Sequence, residues 1–437
     1  MKRLLCILLL LSLPGCVATP SVEYVSQKNE SRAAVALAAS AAEAVHFPDR
    51  WDETVETHAG KVTFCAAIEQ KADGVYPVCR TEDAAFSQED VTRILSALLP
   101  APVSYGTGEP TKAELTERFR SFLLEVDRQR AGEWYDDTYW SDEEVESLTQ
   151  TYLDEIAAAP DERAQTPVSN YRSVPMNEPI RYALSDGGTA AVKWNGGAIY
   201  CSIGGEGIYD EPQYRSDLRL GEPTAAIWQS VKLARKDAEA MLWEALSDMG
   251  LSGFATVEAY PANLTDFGPV THSVATGWRF LLHRDCGGYP PLRCAAPTDR
   301  FSYGESAGYS RPIREESIEV FVAADGLKSF AYCGPKAVVG LEAANATLLP
   351  FDEVRRLACG AFSVGLAAAD AEVYRIVLTT VTLRIKDSDQ YRETPCWYFF
   401  FDTRQLSDEF RFSPVLHHEA LLLNALDGTL VHPQSGY

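Results

Sequence analysis

The chain has 437 residues, 46% hydrophobic and 11% aromatic, a composition that excludes wholesale disorder and permits sizeable buried cores in about two to four domains. Against 39 basic side chains stand 62 acidic ones, and the formal charge of −23 repels phosphate backbones and anionic headgroups, which excludes nucleic acid as a partner. Beyond the N-terminus no run approaches the roughly 20 apolar residues that a transmembrane helix needs.

Lys2 and Arg3 precede an apolar run from Leu4 to Leu13, the charged and hydrophobic regions of an export signal too short to span a bilayer. Residues 11 to 16 read Leu-Ser-Leu-Pro-Gly-Cys and resemble a bacterial lipoprotein signal, whose lipobox ends in Gly-Cys. That resemblance implies cleavage before Cys16, a diacylglycerol on its thiol, and a place on the extracytoplasmic face of the bacterial cell membrane. Residues 1–15 are then signal peptide and 16–45 a lipidated tether, polar at first and Ala-rich from residue 31. Losing Lys2 and Arg3 takes the charge from −23 to −25, which holds the body away from the surface that anchors it.

From Trp51 to Glu69 two strand-like runs flank Ala59-Gly60 and predict a hairpin, with a third short strand at Val75 to Arg80. Ser87, followed by Asp90 and by Val91, Ile94, Leu95 and Leu98 on one face, marks a capped helix. A second helix is predicted over Thr111 to Arg130, with Leu115, Phe119, Phe122 and Leu123 inward. A third starts at Ser141 and ends before Pro160. These elements make 46–175 an expected N-terminal α+β domain. Asp186-Gly187 and Asn195-Gly196 then punctuate a three-stranded meander over 181–203, one that extends a neighbouring sheet.

The second half repeats an order of elements: a helix over about 224–249, three strands, Asp325-Gly326 and a strand; then a helix from Pro350, three strands, Asp427-Gly428 and a strand. The two turns lie 102 residues apart, and Trp278 and Trp397 occupy the second strand of each unit. One helix on an antiparallel sheet ending in a D-G hairpin resembles the PepSY and YycH-like modules of envelope proteins. The strings Leu348 to Val354, Pro395-Cys-Trp397 and Leu423 to Gly428 resemble an uncharacterised clostridial lipoprotein family, domain-of-unknown-function family 6034. The resemblance covers about residues 215–437 and implies a fold and a location but no catalytic residues. The expected fold class is therefore α+β: an N-terminal α+β domain followed by two tandem helix-on-antiparallel-sheet modules, 176–340 (with the meander) and 341–437.

Eight cysteines follow Cys16. Cys286 with Cys294, across a Gly/Pro-rich loop, and Cys65 with Cys79, on consecutive strand-like runs, are the expected disulfides. No C-x-x-C spacing points to zinc or thioredoxin-type chemistry. Gly304-Glu-Ser306-Ala-Gly308 spells a nucleophile elbow, but a polar approach and Pro312 in the would-be helix oppose a serine esterase built on Ser306. His417 and His418 would point to opposite faces of a strand and not converge on a metal. Trp134, Tyr135, Tyr139 and Trp140 form an aromatic cluster readable as a folded-over loop or as a recognition patch. The reading is a non-catalytic, lipid-anchored protein that needs no cofactor and binds a protein or peptide, with a sheet edge as the expected place of binding, in the manner of strand addition. A solute-binding lipoprotein and a Ser306 esterase are its rivals.

Overall fold

The computed structural model describes residue 37 and residues 43–56, 60–106, 110–131, 140–204, 214–215, 230–266, 272–292, 315–363, 370–385, 388–403 and 420–431. The N-terminal hairpin forms as the alternation requires: β1 (Arg50–Glu56) and β2 (Lys61–Glu69) pair antiparallel, with Trp51, Val62, Phe64, Ala66 and Ile68 inward. β3 (Val78–Asp83) follows, then α1 (Gln88–Leu98), whose Ser87 and Asp90 close a capping box and whose Val91, Ile94 and Leu95 are buried. Next come β4 (Pro102–Gly106) and two helices, α2 (Lys112–Arg130) and α3 (Asp142–Ala158), each started by a capping box, Thr111 with Glu114 and Ser141 with Glu144. They pack on each other through Phe119, Phe122 and Tyr152. Leu115 and Phe122 are buried as expected, but Leu123 faces solvent.

β5 (Gln165–Pro167), β6 (Ile180–Leu184), β7 (Thr189–Asn195), β8 (Ala198–Ile203) and β9 (Tyr214–Arg215) come next, followed by α4 (Arg235–Asp248), which ends at Gly250 with φ +67°. A meander of β10 (Phe254–Asp266), β11 (His272–Arg284), β12 (Ser317–Ala323) and β13 (Gly326–Cys333) leads to β14 (Lys336–Ala343) and α5 (Phe351–Ala361). The chain closes with β15 (Ala371–Arg384), β16 (Gln390–Thr403), β17 (Ala420–Asn424) and β18 (Leu430–Val431).

The strands form two sheets. Ten of them run in the order β5-β4-β6-β7-β8-β13-β12-β11-β10-β9. The other sheet has eight, β1-β2-β15-β16-β17-β18, with β3 paired to both β16 and β14. Every described ladder is antiparallel except β2–β15. The eight-stranded sheet thus takes strands from both ends of the chain, and the ten-stranded sheet is built entirely from what lies between β3 and β14.

This overturns the expected fold class. Of the described residues 43% are strand and 26% helix, a mostly β architecture of two large sheets and not an α+β domain followed by two free-standing helix-on-sheet modules. The reason is long-range pairing. The N-terminal hairpin does not build its own domain but joins β15 across some 300 residues of sequence, and the 181–203 meander joins β13 through β8. Nor do the expected limits at 175/176 and 340/341 follow the division between the sheets, which falls near residues 84 and 335, where the chain crosses over and returns.

Each sheet buries its own core. One cluster gathers Phe47, Trp51, Phe64, Tyr76, Trp397 and Phe399 beneath α5. The other gathers Ile94, Val192, Leu242, Phe280, Val320 and Phe330 beneath α1 and α4. Aromatic contacts are dense in the first: Trp51 stacks on Phe64 at 3.8 Å, and Phe47 meets Trp397 edge-on at 4.9 Å.

Candidate functional site: the seam between the sheets

Among the described residues two connections join the sheets. At the first, the outgoing and returning segments of chain lie side by side: Ala84 N–H donates to Pro335 O at 2.9 Å, and β14 begins with Lys336 in register with Asp83. The second is the loop 285–292, which leaves β11 and lies against the eight-stranded sheet. Its turn is held by Asp285, whose Oδ1 accepts from the backbone of Gly288 and Tyr289. Gly287 has φ +120° and a Cβ there would sit 2.2 Å from Pro77 Cγ, so only glycine fits. Tyr289 is buried in the other sheet's core, donates its hydroxyl to Pro77 O at 2.6 Å and meets Tyr76 edge-on. Thr380 and Thr379 donate to the carbonyls of Tyr289 and Pro290, at 2.9 and 2.6 Å.

Between these connections one face of β14, β3, β16 and β15 is polar and sheltered. Glu393 is the centre of it. This side chain is buried, sits opposite Cys79 on β3 and Thr382 on β15, and accepts from Thr382 at 3.0 Å and from Thr81 at 3.3 Å. Burial pushes its pKa up to about 7, against the opposing pull of the Thr382 and Thr81 hydroxyls and of Lys336. Lys336 is itself buried; its ammonium pairs with Asp83 and lies 3.6 Å from the centre of the Tyr391 ring, whose hydroxyl donates to Asp83 at 2.9 Å. On the ten-stranded side Glu316 accepts from Arg284 at 2.8 Å, from Tyr332 at 2.6 Å and from the backbone of Lys336 at 3.1 Å. A carboxyl that exchanges its proton near neutrality, beside a sheltered thiol, is the chemistry this face offers. Among the described residues no cluster of His, Cys, Asp or Glu is placed to hold a metal.

The sheet's outer edge is of different character. Among the described residues β14 pairs only with β3, and Val338, Val339 and Leu341 are 54%, 46% and 61% exposed. Irregular register at Val338/Gly340 and Leu341/Ala343, together with Lys336 and Glu342 at the ends of the apolar run, blunts the edge against indiscriminate pairing. Glu342 binds both Arg80, at 2.9 Å, and Arg392. Burial raises its pKa, but these two guanidinium partners outweigh that and hold it below the usual carboxylate range.

The seam was not read from sequence; its one linear signal is a charged residue, Glu393, opening the apolar run Thr394 to Phe401. Of the expected sites, Cys16, Cys294, Ser306, Trp134, Tyr135, Tyr139, His417 and His418 lie outside the described residues. Cys65 and Cys79 are both free thiols, and the expected bridge between them fails on topology. β15 and β16 stand between β2 and β3, so the two residues are about 14 Å apart at ordinary strand spacing, twice what a disulfide spans. Cys286 is buried at the start of the 285–292 loop and faces Cys79. Trp140 is half-buried, edge-on to Phe122 at 5.5 Å, with its backbone carbonyl accepting from Gln129. His283 is buried, with Nδ1 2.8 Å from Pro291 O.

No family model matches the chain, and no curated protein matches it. A solved structure of an uncharacterised protein from Eubacterium rectale is similar at 12% identity and a TM-score of 0.38, over 89% of this chain and 93% of that one. Likeness of that degree assigns neither fold nor function.

Proposed function

We propose that the chain is a lipid-anchored protein of the bacterial cell envelope, held to the extracytoplasmic face of the membrane by acyl chains on Cys16, and that it binds a partner polypeptide by strand addition along β14. The observation that carries the reading is the exposed apolar edge at Val338, Val339 and Leu341. Main-chain groups along such an edge supply affinity and the alternate side chains supply selectivity. The bulged register confines pairing to a short stretch, so the partner must match residues 338–341.

Two experiments test the halves separately. Metabolic labelling with an alkynyl fatty acid marks the wild type, and Cys16→Ser removes both the label and membrane retention; a Cys16→Ser variant that stays labelled and membrane-bound refutes the anchor. A photo-reactive residue in place of Val339 gives a discrete polypeptide adduct in intact cells, Leu341→Lys abolishes it, and the same probe at exposed Leu153 on α3 gives none. Equal adducts at 339 and 153 refute the docking edge.

A further inference from the structure

The 285–292 loop carries one feature that the hydrogen bonds above do not use. Cys286 opens the loop and Cys79 lies on β3 beneath it, so two cysteines 207 positions apart in sequence, one from each sheet, meet at the seam. Cys79 Sγ donates to Cys286 O at 3.8 Å, which brings the two residues into contact. On both sides the backbone is pinned: Tyr289 to Pro77, Lys71 to Gly287 O, and Gly287 packed against Pro77. We propose that Cys79 and Cys286 are a redox pair whose disulfide locks the 285–292 loop, and with it the ten-stranded sheet, to the eight-stranded sheet.

The two thiols have different roles. Cys79 is half-buried, so an external disulfide can reach its sulfur. Cys286 is buried and shielded from such a reagent. Cys79 is therefore the attacking thiolate and Cys286 the resolving one. The oxidant is an external disulfide, as carried by oxidised glutathione or a dithiol oxidase of an oxidising compartment. Cys79 attacks one of its sulfurs, forming a mixed disulfide and expelling the first thiolate. Cys286, losing its proton, then attacks Cys79 Sγ, forming the internal S–S bond and expelling the second. Two electrons and two protons pass from the pair to the oxidant, which leaves as two thiols.

Closing a loop this long constrains the unfolded chain strongly, whatever its enthalpic share. The test uses the full-length protein purified reduced, then equilibrated with oxidised glutathione. Digestion without reduction is expected to yield a linked Cys79–Cys286 peptide, and the oxidised protein to melt about 5 °C or more above its reduced form. Cys79→Ser and Cys286→Ser each remove the linked peptide and the redox-dependent shift, while Cys65→Ser keeps both. If a serine variant fails to fold, the wild-type peptide map decides alone. A map that joins Cys286 to Cys294, or folded oxidised protein in which both thiols still alkylate, overturns the proposal.

Discussion

The units α4–β10–β11–β12–β13 and α5–β15–β16–β17–β18 share an order of elements, an Asp-Gly turn and a tryptophan on the second strand, yet they build their sheets in opposite directions. The first takes on further strands mainly at its last strand, where β8 joins β13; the second takes on β2 at its first strand, β15. Their tryptophans differ accordingly. Trp278 lies under the start of α4 and donates its indole N–H to Leu233 O at 2.9 Å. Trp397 is fully buried among Phe47, Phe351 and Phe399, and its indole N–H finds no hydrogen-bond partner among the described residues. The same local plan thus yields one core pinned by a hydrogen bond and another filled by aromatic packing. Residues 43–56, from the far end of the chain, decide the second.

The largest effect expected from breaking this comparison is at Trp397. Trp397→Ala costs about 4 kcal/mol in urea denaturation, the range for emptying a buried aromatic site. Replacement by Phe separates the two positions: Trp278→Phe costs about 1 kcal/mol more than Trp397→Phe, because only the former leaves a carbonyl without its donor. Equal costs would mean that the hydrogen bond to Leu233 contributes nothing.

Next in size is the pH dependence set by Glu393, which the eight-stranded sheet carries alone. Its pKa of about 7 in the folded protein lies above the ordinary 4.5, so between those values the folded state holds a proton that the unfolded state has lost. The contribution is therefore complete below the ordinary value and is lost as pH rises through 7, by about 3 kcal/mol in all. Glu393→Gln removes this slope, so unfolding free energies at pH 5 and pH 8 differ by about 3 kcal/mol less than in the wild type. An unchanged difference would place the titration elsewhere.

The smallest contrast lies in the matched turns. Gly428 has φ +81° and a Cβ would sit 2.4 Å from Leu357 Cδ1 on α5, whereas Gly326 has φ +121° and open space around it. Gly326→Ala meets backbone strain alone, about 1 kcal/mol; Gly428→Ala adds the displacement of Leu357 and costs about 2 kcal/mol, read as melting temperatures.

Local signals in the sequence were legible because their physics is local. Ser87, Thr111 and Ser141 satisfy helix N-termini within three residues, and Asp186-Gly187, Asp325-Gly326 and Asp427-Gly428 close turns by their own geometry. What joins β2 to β15, or sets β3 between β14 and β16, has no such signal, since partners some 300 residues apart leave no period in either strand. Reading Val75 to Arg80 as the neighbour of the first hairpin produced the Cys65–Cys79 pairing. Once β3 is moved to the seam, Cys79 meets Cys286 instead. The seam was invisible for the same reason: Thr81, Lys336, Thr382 and Glu393 come together only through pairings between distant strands.

Amide hydrogen exchange along β14, compared between protein in its native envelope and protein purified alone, tests the central claim of a strand-docking edge most directly. Docking predicts that the amides of residues 338–341 exchange at least about tenfold more slowly in the envelope while those of the interior strand β12 are unchanged. Equal rates along β14 in the two settings would contradict it.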